Sequence, residues 1–395
     1  MISFEKAFRE VMKHTQEWGN EQVPLLESTG RVLAAPILAD RDFPPFDRAT
    51  RDGIAICSTA LEKGKTAFPI VGMQSAGMPQ QQIGSPDHCM EVMTGAMVPL
   101  NTDTVIMYEK ISLEDGIAKI TGNPKKGQNI HRKGSDLKKG EVILPGDIRI
   151  TAAEIGVLAT VGQDYVTVKK MPKIGVISTG NELVDISTIP LPHQIRKSNV
   201  LSLYAALSRE NIRPELIHLK DERTVLQERV SKAIRENDVL LLSGGVSKGK
   251  FDFVPEVLEA LGVAKTFHRV AQRPGKPFWF GVQEVLGTTV FSFPGNPVST
   301  YANYHIYFVP WLYRSLGLPY PNREVILYEA IANTLPLTRF VQVKTFWKNG
   351  SLYAKPIQDG GSGDMASLTR SDGFIRLAPK ENAHKKGSMV PYIPK

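Results

Sequence analysis

The stretch Asn237-Asp-Val-Leu-Leu-Leu-Ser-Gly-Gly-Val-Ser-Lys-Gly-Lys-Phe-Asp252 decides how the chain is read. Residues 239–242 form a short, unbroken apolar run, as a parallel strand buried on both faces requires. A loop of glycine and small polar residues follows, and helical spacing resumes over residues 254–261. Strand, glycine loop and helix together turn backbone N–H groups toward an anion. Two familiar patterns overlap here. Gly245-Val-Ser-Lys-Gly249 fits the Gly-x-Ser-x-Gly of a nucleophile elbow, and residues 244–250 fit most of a P-loop. The elbow needs an acid and then a histidine downstream, and His268 and His305 are available. The P-loop fails at Phe251, which stands where a hydroxyl must hold magnesium. The two motifs share a loop offering N–H groups to an anion, here with Gly244, Gly245, Ser247 and Lys248 in it and Asp252 at its exit. The plainest alternative is a tight turn with no ligand.

From Pro172 onward the same alternation repeats. Strands are expected at 173–178, 215–219, 239–242 and 289–293. Helices are expected at 199–209, 223–235 and 298–316. This pattern implies a parallel sheet with helices on both faces and ligands at the carboxyl ends of its strands. Two more strand-end loops join the first: Ile177-Ser-Thr-Gly-Asn-Glu182, and Ser292-Phe-Pro-Gly-Asn-Pro-Val-Ser299, where Pro294 and Pro297 stiffen the backbone around Gly295 and Asn296. Three such loops on one edge make a binding rim. Arg273-Pro-Gly-Lys-Pro277 adds a cation, Lys276, between prolines. The acids Asp52, Asp136, Glu182, Asp221 and Asp252 all sit in or beside loops, where a single acid is usually a turn-former. Together they suit a hard cation held through oxygen. The eight histidines show no metal spacing, and neither His-Glu-x-x-His nor Cys-x-x-Cys occurs, which argues against a protein-only zinc site.

At 395 residues the chain is too long for one core. Apolar content of 42% and charged content of 22% belong to a folded, soluble chain, and no apolar run is long enough to span a membrane. Charges interrupt any signal-peptide pattern, and two cysteines give no disulfide framework, so a cytoplasmic location is expected. The formal charge of +8 calls for an anionic partner. Its sharpest cluster is Lys125, Lys126, Arg132, Lys133, Lys138 and Lys139, but no nucleic-acid module accompanies it. The N-terminus reads as an amphipathic helix with Phe4, Ala7, Phe8, Val11 and Met12 on one face. Asp40-Arg-Asp-Phe-Pro-Pro-Phe-Asp-Arg48 reads as a proline-broken crossing. A β-rich insertion at 41–139 then interrupts an elongated N-terminal domain made of 1–40 and 140–171. The α/β domain spans 172–318. Residues 319–395 form a small barrel or sandwich with a flexible loop at 360–364. Hairpins are expected at Asp115-Gly116, Asn349-Gly350 and Asp372-Gly373.

With these motifs together, the chain resembles the molybdopterin molybdenumtransferases, the MoeA family, whose eukaryotic relative is the gephyrin E domain. The resemblance rests on Arg51-Asp-Gly-Ile-Ala55, Met93-Thr-Gly-Ala-Met-Val-Pro99, Arg132-Lys-Gly-Ser-Asp-Leu137, Ser178-Thr-Gly-Asn-Glu-Leu183, Ser243-Gly-Gly-Val-Ser-Lys-Gly249, Pro274-Gly-Lys-Pro277 and Pro294-Gly-Asn-Pro-Val-Ser299, in that order. It implies an elongated, four-domain homodimer whose parallel-sheet domain is similar to that of the molybdopterin adenylyltransferases. It also implies magnesium-dependent release of AMP from adenylylated molybdopterin, with molybdate inserted at the dithiolene. The resemblance further places Asp52, Thr94 and Asp136 of one subunit opposite Glu182, Asp221 and Asp252 of the other. Glu182 and Asp252 then lie near the cation or phosphate, and Lys276 with the loop from Pro294 to Ser299 holds pterin and oxyanion. An adenylyltransferase and apo-molybdoenzymes are the implied partners. Arg51 stands where the family usually has an apolar residue, Asn181 where it commonly has an acid, and Lys248 and Lys250 make the loop more basic than usual. The rival reading is a non-catalytic scaffold of the same fold.

Overall fold

The computed structural model describes residues 1–246, 252–379 and 383–395. Within the α/β region the elements are β1 (Ile174–Thr179), α1 (Asn199–Ser208), β2 (Glu215–Leu219), α2 (Arg223–Glu236), β3 (Val239–Ser243), α3 (Val254–Ala260), β4 (Ala264–His268), β5 (Trp279–Gln283), β6 (Thr288–Phe293) and α4 (Pro297–Asn303). They build one six-stranded sheet in the order β2-β1-β3-β6-β5-β4. The strands β2, β1, β3 and β6 run parallel, whereas β5 runs antiparallel to β6 and β4 in turn antiparallel to β5. The alternation in the sequence reveals the parallel strands but not this antiparallel edge. The reason is connection length: only residues 284–287 separate β5 from β6, and a parallel neighbour needs a crossover of a dozen or more residues.

Every residue of β1, β3 and β6 is buried, as expected for strands covered on both faces. The helix expected over 298–316 is instead three pieces. A π-turn at Tyr304–Phe308 separates α4 from α5 (Val309–Ser315). Pro310 has no N–H to donate back along the helix, and the wider turn precedes it. The aromatic rings of this segment close the core, with Phe278 and Tyr307 centred 4.7 Å apart and Phe291 and Trp311 5.3 Å apart.

The N-terminal helix, Phe4–Lys13, lies on this aromatic core, burying Phe4, Ala7, Val11 and Met12. Trp311 Nε1 donates to the His14 carbonyl at 2.8 Å, fixing the helix end. The short strand Ile2–Ser3 pairs with Val270–Arg273, which also pairs with Thr338–Lys348 of the last region. The chain's beginning, middle and end are thus joined in one hydrogen-bonded ladder.

Two antiparallel pairs, Asn20–Pro24 with Tyr165–Lys169 and Ile37–Leu38 with Val142–Leu144, bracket a separate six-stranded sheet. That sheet lies between Gly53 and Ile120, and its hairpin turns on Asp115 and Gly116, with φ of 46° and 74°. Positive φ at both turn residues is the type I′ geometry. At the other end, Arg323–Leu327, Thr338–Lys348, Ser351–Pro356, Gly373–Leu377 and Met389–Pro394 close into a small barrel. Asn349 and Gly350 form its hairpin turn, with φ of 49° and 74°.

The hairpin expected at Asp372-Gly373 is absent, because a helix, Met365–Arg370, precedes that strand. Asp372 instead accepts from Lys344 Nζ at 2.6 Å and from the Thr345 amide at 2.7 Å. Gly373 is needed for space, since a Cβ there would lie 2.3 Å from the Ile393 carbonyl oxygen.

Candidate functional site

The carboxyl ends of β1, β3 and β6 open into a cleft of about 500 Å³. Gly244 and Gly245, with φ of 104° and 70°, carry the chain out of β3. A Cβ on Gly244 would lie 2.7 Å from the Thr179 carbonyl oxygen, and one on Gly245 would lie 2.5 Å from Val254 Cγ2. Only glycine meets both the backbone angles and the space at these two positions. The loop thereby packs directly against the loop after β1. Ser247, Lys248, Lys250 and Phe251 lie outside the described residues. Asn199, at the start of α1, holds the remaining loop: its Nδ2 donates to Ser243 Oγ at 2.9 Å and to the Gly295 carbonyl at 2.7 Å. Thr300 Oγ1 donates to the Pro294 carbonyl at 2.5 Å.

Three carboxylates, Glu182, Asp221 and Asp252, share this cleft with Arg196 and Lys197, and Lys197 is paired with Asp185 at 2.6 Å. Burial first, then the charges of Glu182 and Asp252, raises the Asp221 carboxyl above its ordinary range. Asn181 has a structural task here: its Oδ1 accepts the Asp221 amide at 3.2 Å. The acids therefore repel one another, and a bound cation would relieve that repulsion.

Beyond the Pro294 loop lies a second cleft, of about 550 Å³, between the sheet and the barrel. The two clefts share Pro277, Pro294 and Asn296 as a common wall. The second is cationic, with Arg273, Lys276 and Arg339 on its walls against one acid, Asp359. Ser299 and Lys276 belong to this cleft, and Gly295 and Pro297 to the first. Buried side chains hold the turn that carries Lys276. Asn303 Nδ2 donates to the Gly275 carbonyl at 3.2 Å, Gln272 Nε2 donates to Asn303 Oδ1 at 2.8 Å, and the Tyr307 hydroxyl donates to Gln272 Oε1. The loop at 360–364, expected to be flexible, is tied to the wall: Asn296 Nδ2 donates to Ser362 Oγ at 2.7 Å, and the Val298 amide donates to the Ser362 carbonyl at 3.1 Å.

Asp52, Thr94 and Asp136 line neither cleft among the described residues. They sit on the β module, where Asp52 and Thr94 meet. Asp52 Oδ1 accepts from the Thr94 amide at 2.6 Å and from Thr94 Oγ1 at 2.7 Å. Those two hydrogen bonds hold the Asp52 carboxyl below its ordinary range. Asp136 accepts from His131 Nε2 at 2.7 Å, and Arg48 donates to His131 Nδ1 at 3.1 Å. The arginine can only donate, so in this arrangement His131 accepts at Nδ1 and donates from Nε2 to Asp136.

Sequence reasoning missed His131, Asn199, Arg339 and Ser362. Asn199 had a signal, as a polar residue at the start of a helix behind a strand-end loop. The others are brought to the site from distant elements. Much of the expected basic patch is neutralised in the structure, with Arg132 on Asp47 at 2.5 Å, Lys126 on Asp103 at 3.5 Å and Lys133 on Asp42 at 3.7 Å.

Fold and site together define a multidomain α/β protein with a cleft at the strand ends of its largely parallel sheet. The family model for the MoeA N-terminal region (domain I and II) matches residues 2–162. A probable molybdopterin binding domain matches 175–314, and the MoeA C-terminal region (domain IV) matches 324–395. The chain is 37% identical to the molybdopterin molybdenumtransferase of a Synechocystis species, over 99% of both chains. It is 31% identical to the protein of the same name from Bacillus subtilis, over 98% of this chain and 93% of that one. A crystal structure of the molybdopterin biosynthesis MoeA protein from Pyrococcus horikoshii superposes with a TM-score of 0.85 at 30% identity, covering 100% of this chain and 99% of that one. The chain belongs to the MoeA family, the molybdopterin molybdenumtransferases.

Proposed function

We propose that the protein is an enzyme of molybdenum cofactor biosynthesis that inserts molybdate into adenylylated molybdopterin and releases AMP. The observation that carries this reading is the common wall: an acidic cleft at the strand ends shares Pro277, Pro294 and Asn296 with a cationic cleft. Breaking a bond to phosphate needs positioning and charge neutralisation rather than a protein nucleophile. The Gly244–Gly245 turn and the Pro294–Pro297 loop would hold the phosphate and pterin. Lys276, with Arg273 and Arg339, would hold molybdate, a tetrahedral dianion suited to such donors.

Magnesium fits the donor set of the acidic cleft. Among the described residues no three such side chains are placed to hold a metal by themselves. That suits an ion which takes one or two carboxylates and completes its shell with water and substrate phosphate. Glu182 and Asp252 would hold it, and once bound it would neutralise charge on phosphate oxygens.

A homodimer completes the site in this reading, bringing Asp52, Thr94 and Asp136 of one subunit over the acidic cleft of the other. The cytoplasm is the proposed location; no helix among the described residues is long and apolar enough to cross a membrane. An adenylyltransferase supplying the substrate and apo-molybdoenzymes receiving the product are the proposed partners.

The hydrolase reading of the glycine loop loses support at one of its histidines, because His268 spends an N–H on the Val246 carbonyl at 3.0 Å. The scaffold reading is disfavoured because every expected acid is present. The test is AMP release from adenylylated molybdopterin in the presence of molybdate and magnesium. Release above background supports the proposal, and none would overturn it.

A further inference from the structure

A cavity of about 250 Å³ lies beside the π-turn, where the end of α1 meets the segment entering the barrel. Its walls carry the rings of Tyr304, Tyr313 and Tyr320, with Tyr313 and Tyr320 edge to face at 5.6 Å. Behind this wall two buried polar atoms, the Tyr304 hydroxyl and His305 Nε2, have no hydrogen-bond partner among the described residues, and both are closed off from the cavity itself. Tyr304 is 1% exposed and His305 8%, and side chains so buried are nearly always paired. Both lie on the π-turn, a distortion that recurs at functional sites.

The charges around the cavity are unbalanced. Glu210, the acid in its lining, is taken by Arg149 at 2.9 Å. Arg209 and Arg323 line the rim and make no ion pair among the described residues. Burial first, then the charges of Arg209 and Lys395, pushes the His305 imidazole down to about 3. The imidazole is therefore neutral, and with Glu210 engaged by Arg149 the cations Arg209, Arg323 and Lys395 outnumber the acids among the described residues of the lining.

We propose that this cavity is a second ligand site, separate from the two clefts, for a small aromatic carboxylate. The tyrosine walls take the ring and the arginines take the carboxylate. Concave apolar walls with a few convergent polar groups are the general form of small-molecule sites.

The test uses the full chain and 4-bromobenzoate, followed by calorimetry and by the anomalous signal of bromine in soaked crystals. The expected result is saturable binding with bromine located in this cavity. Replacing both exposed arginines, Arg209→Ala and Arg323→Ala, should weaken binding about tenfold or more, and Lys276→Ala should leave it unchanged. Tyr313→Leu serves as a second variant that keeps an apolar side chain but removes a ring from the wall; it should weaken binding. Overturning results are no saturable binding, bromine in the other clefts alone, affinity untouched by the double arginine variant, or binding at crystal concentration only.

Discussion

The two clefts differ in charge although they share a wall. The strand-end cleft gathers Glu182, Asp221 and Asp252 against Arg196 and Lys197, and the neighbouring one gathers Arg273, Lys276 and Arg339 against Asp359. They are also built differently. The acidic cleft comes from successive loops of one sheet, braced by Asn199. The cationic cleft needs the barrel, which brings Arg339 and Ser362 to the Pro294 loop. Prolines and a bonded asparagine stiffen the wall between them, so the two charges stay close without collapsing onto each other.

The largest expected effect tests the acidic side. Asp252→Ala should cut AMP release by about 10²–10³-fold, the usual scale for losing an electrostatic group at a reacting phosphate. Wild-type turnover in that variant would remove Asp252 from the site. Magnesium should raise the unfolding temperature of the wild type by mass action and raise that of this variant less, a readout independent of activity.

Mixed dimers ask whether the β module of one subunit serves the cleft of another. Asp52→Ala and Asp252→Ala chains, each inactive alone, should recover about a quarter of wild-type activity when co-assembled, because half the dimers are mixed and each has one intact site. No recovery would break the shared-site reading.

On the cationic side, Lys276→Ala should raise the molybdate requirement about tenfold. The magnesium-dependent stabilisation should be unchanged, and a loss of that stabilisation would show that the two clefts are not separate. A smaller effect is expected at His131, which orients Asp136. His131→Ala should lower turnover about three- to tenfold with little change in KM, and His131→Gln should restore part of it.

The smallest effect concerns stability. Asp221 has a raised carboxyl pKa in the folded chain, so between its unfolded and folded values the folded state binds more protons. Its contribution is therefore present at lower pH and lost as pH rises through the folded value. Asp221→Asn should remove that loss and raise the neutral-pH unfolding temperature by about 1–3 °C. A lower temperature would mean that Asp221 makes a favourable contact that outweighs the repulsion.

Much of the site was legible in the residues. The apolar run at 239–242, the glycines after it and the prolines around Gly295-Asn296 each obey local rules of burial or backbone angle. A local rule can be read without the fold. The strands β5 and β4 at one side of the sheet were not legible, because the reversal at β5 depends on the length of a loop and on which edge of the sheet is open. Asp372-Gly373 misled for a similar reason: the glycine answers to the Ile393 carbonyl across the barrel, not to a turn.

The sequence by itself determined the order of strand, loop and helix, the strand-end rim and the family motifs, since periodicity and glycine placement are properties of neighbouring residues. Only the tertiary structure decided that Lys276 and Glu182 occupy different clefts, that Asn199 braces the Pro294 loop, and that His305 lies buried near Arg209. Those facts depend on which distant segments meet, and the meeting is set by packing across the whole molecule.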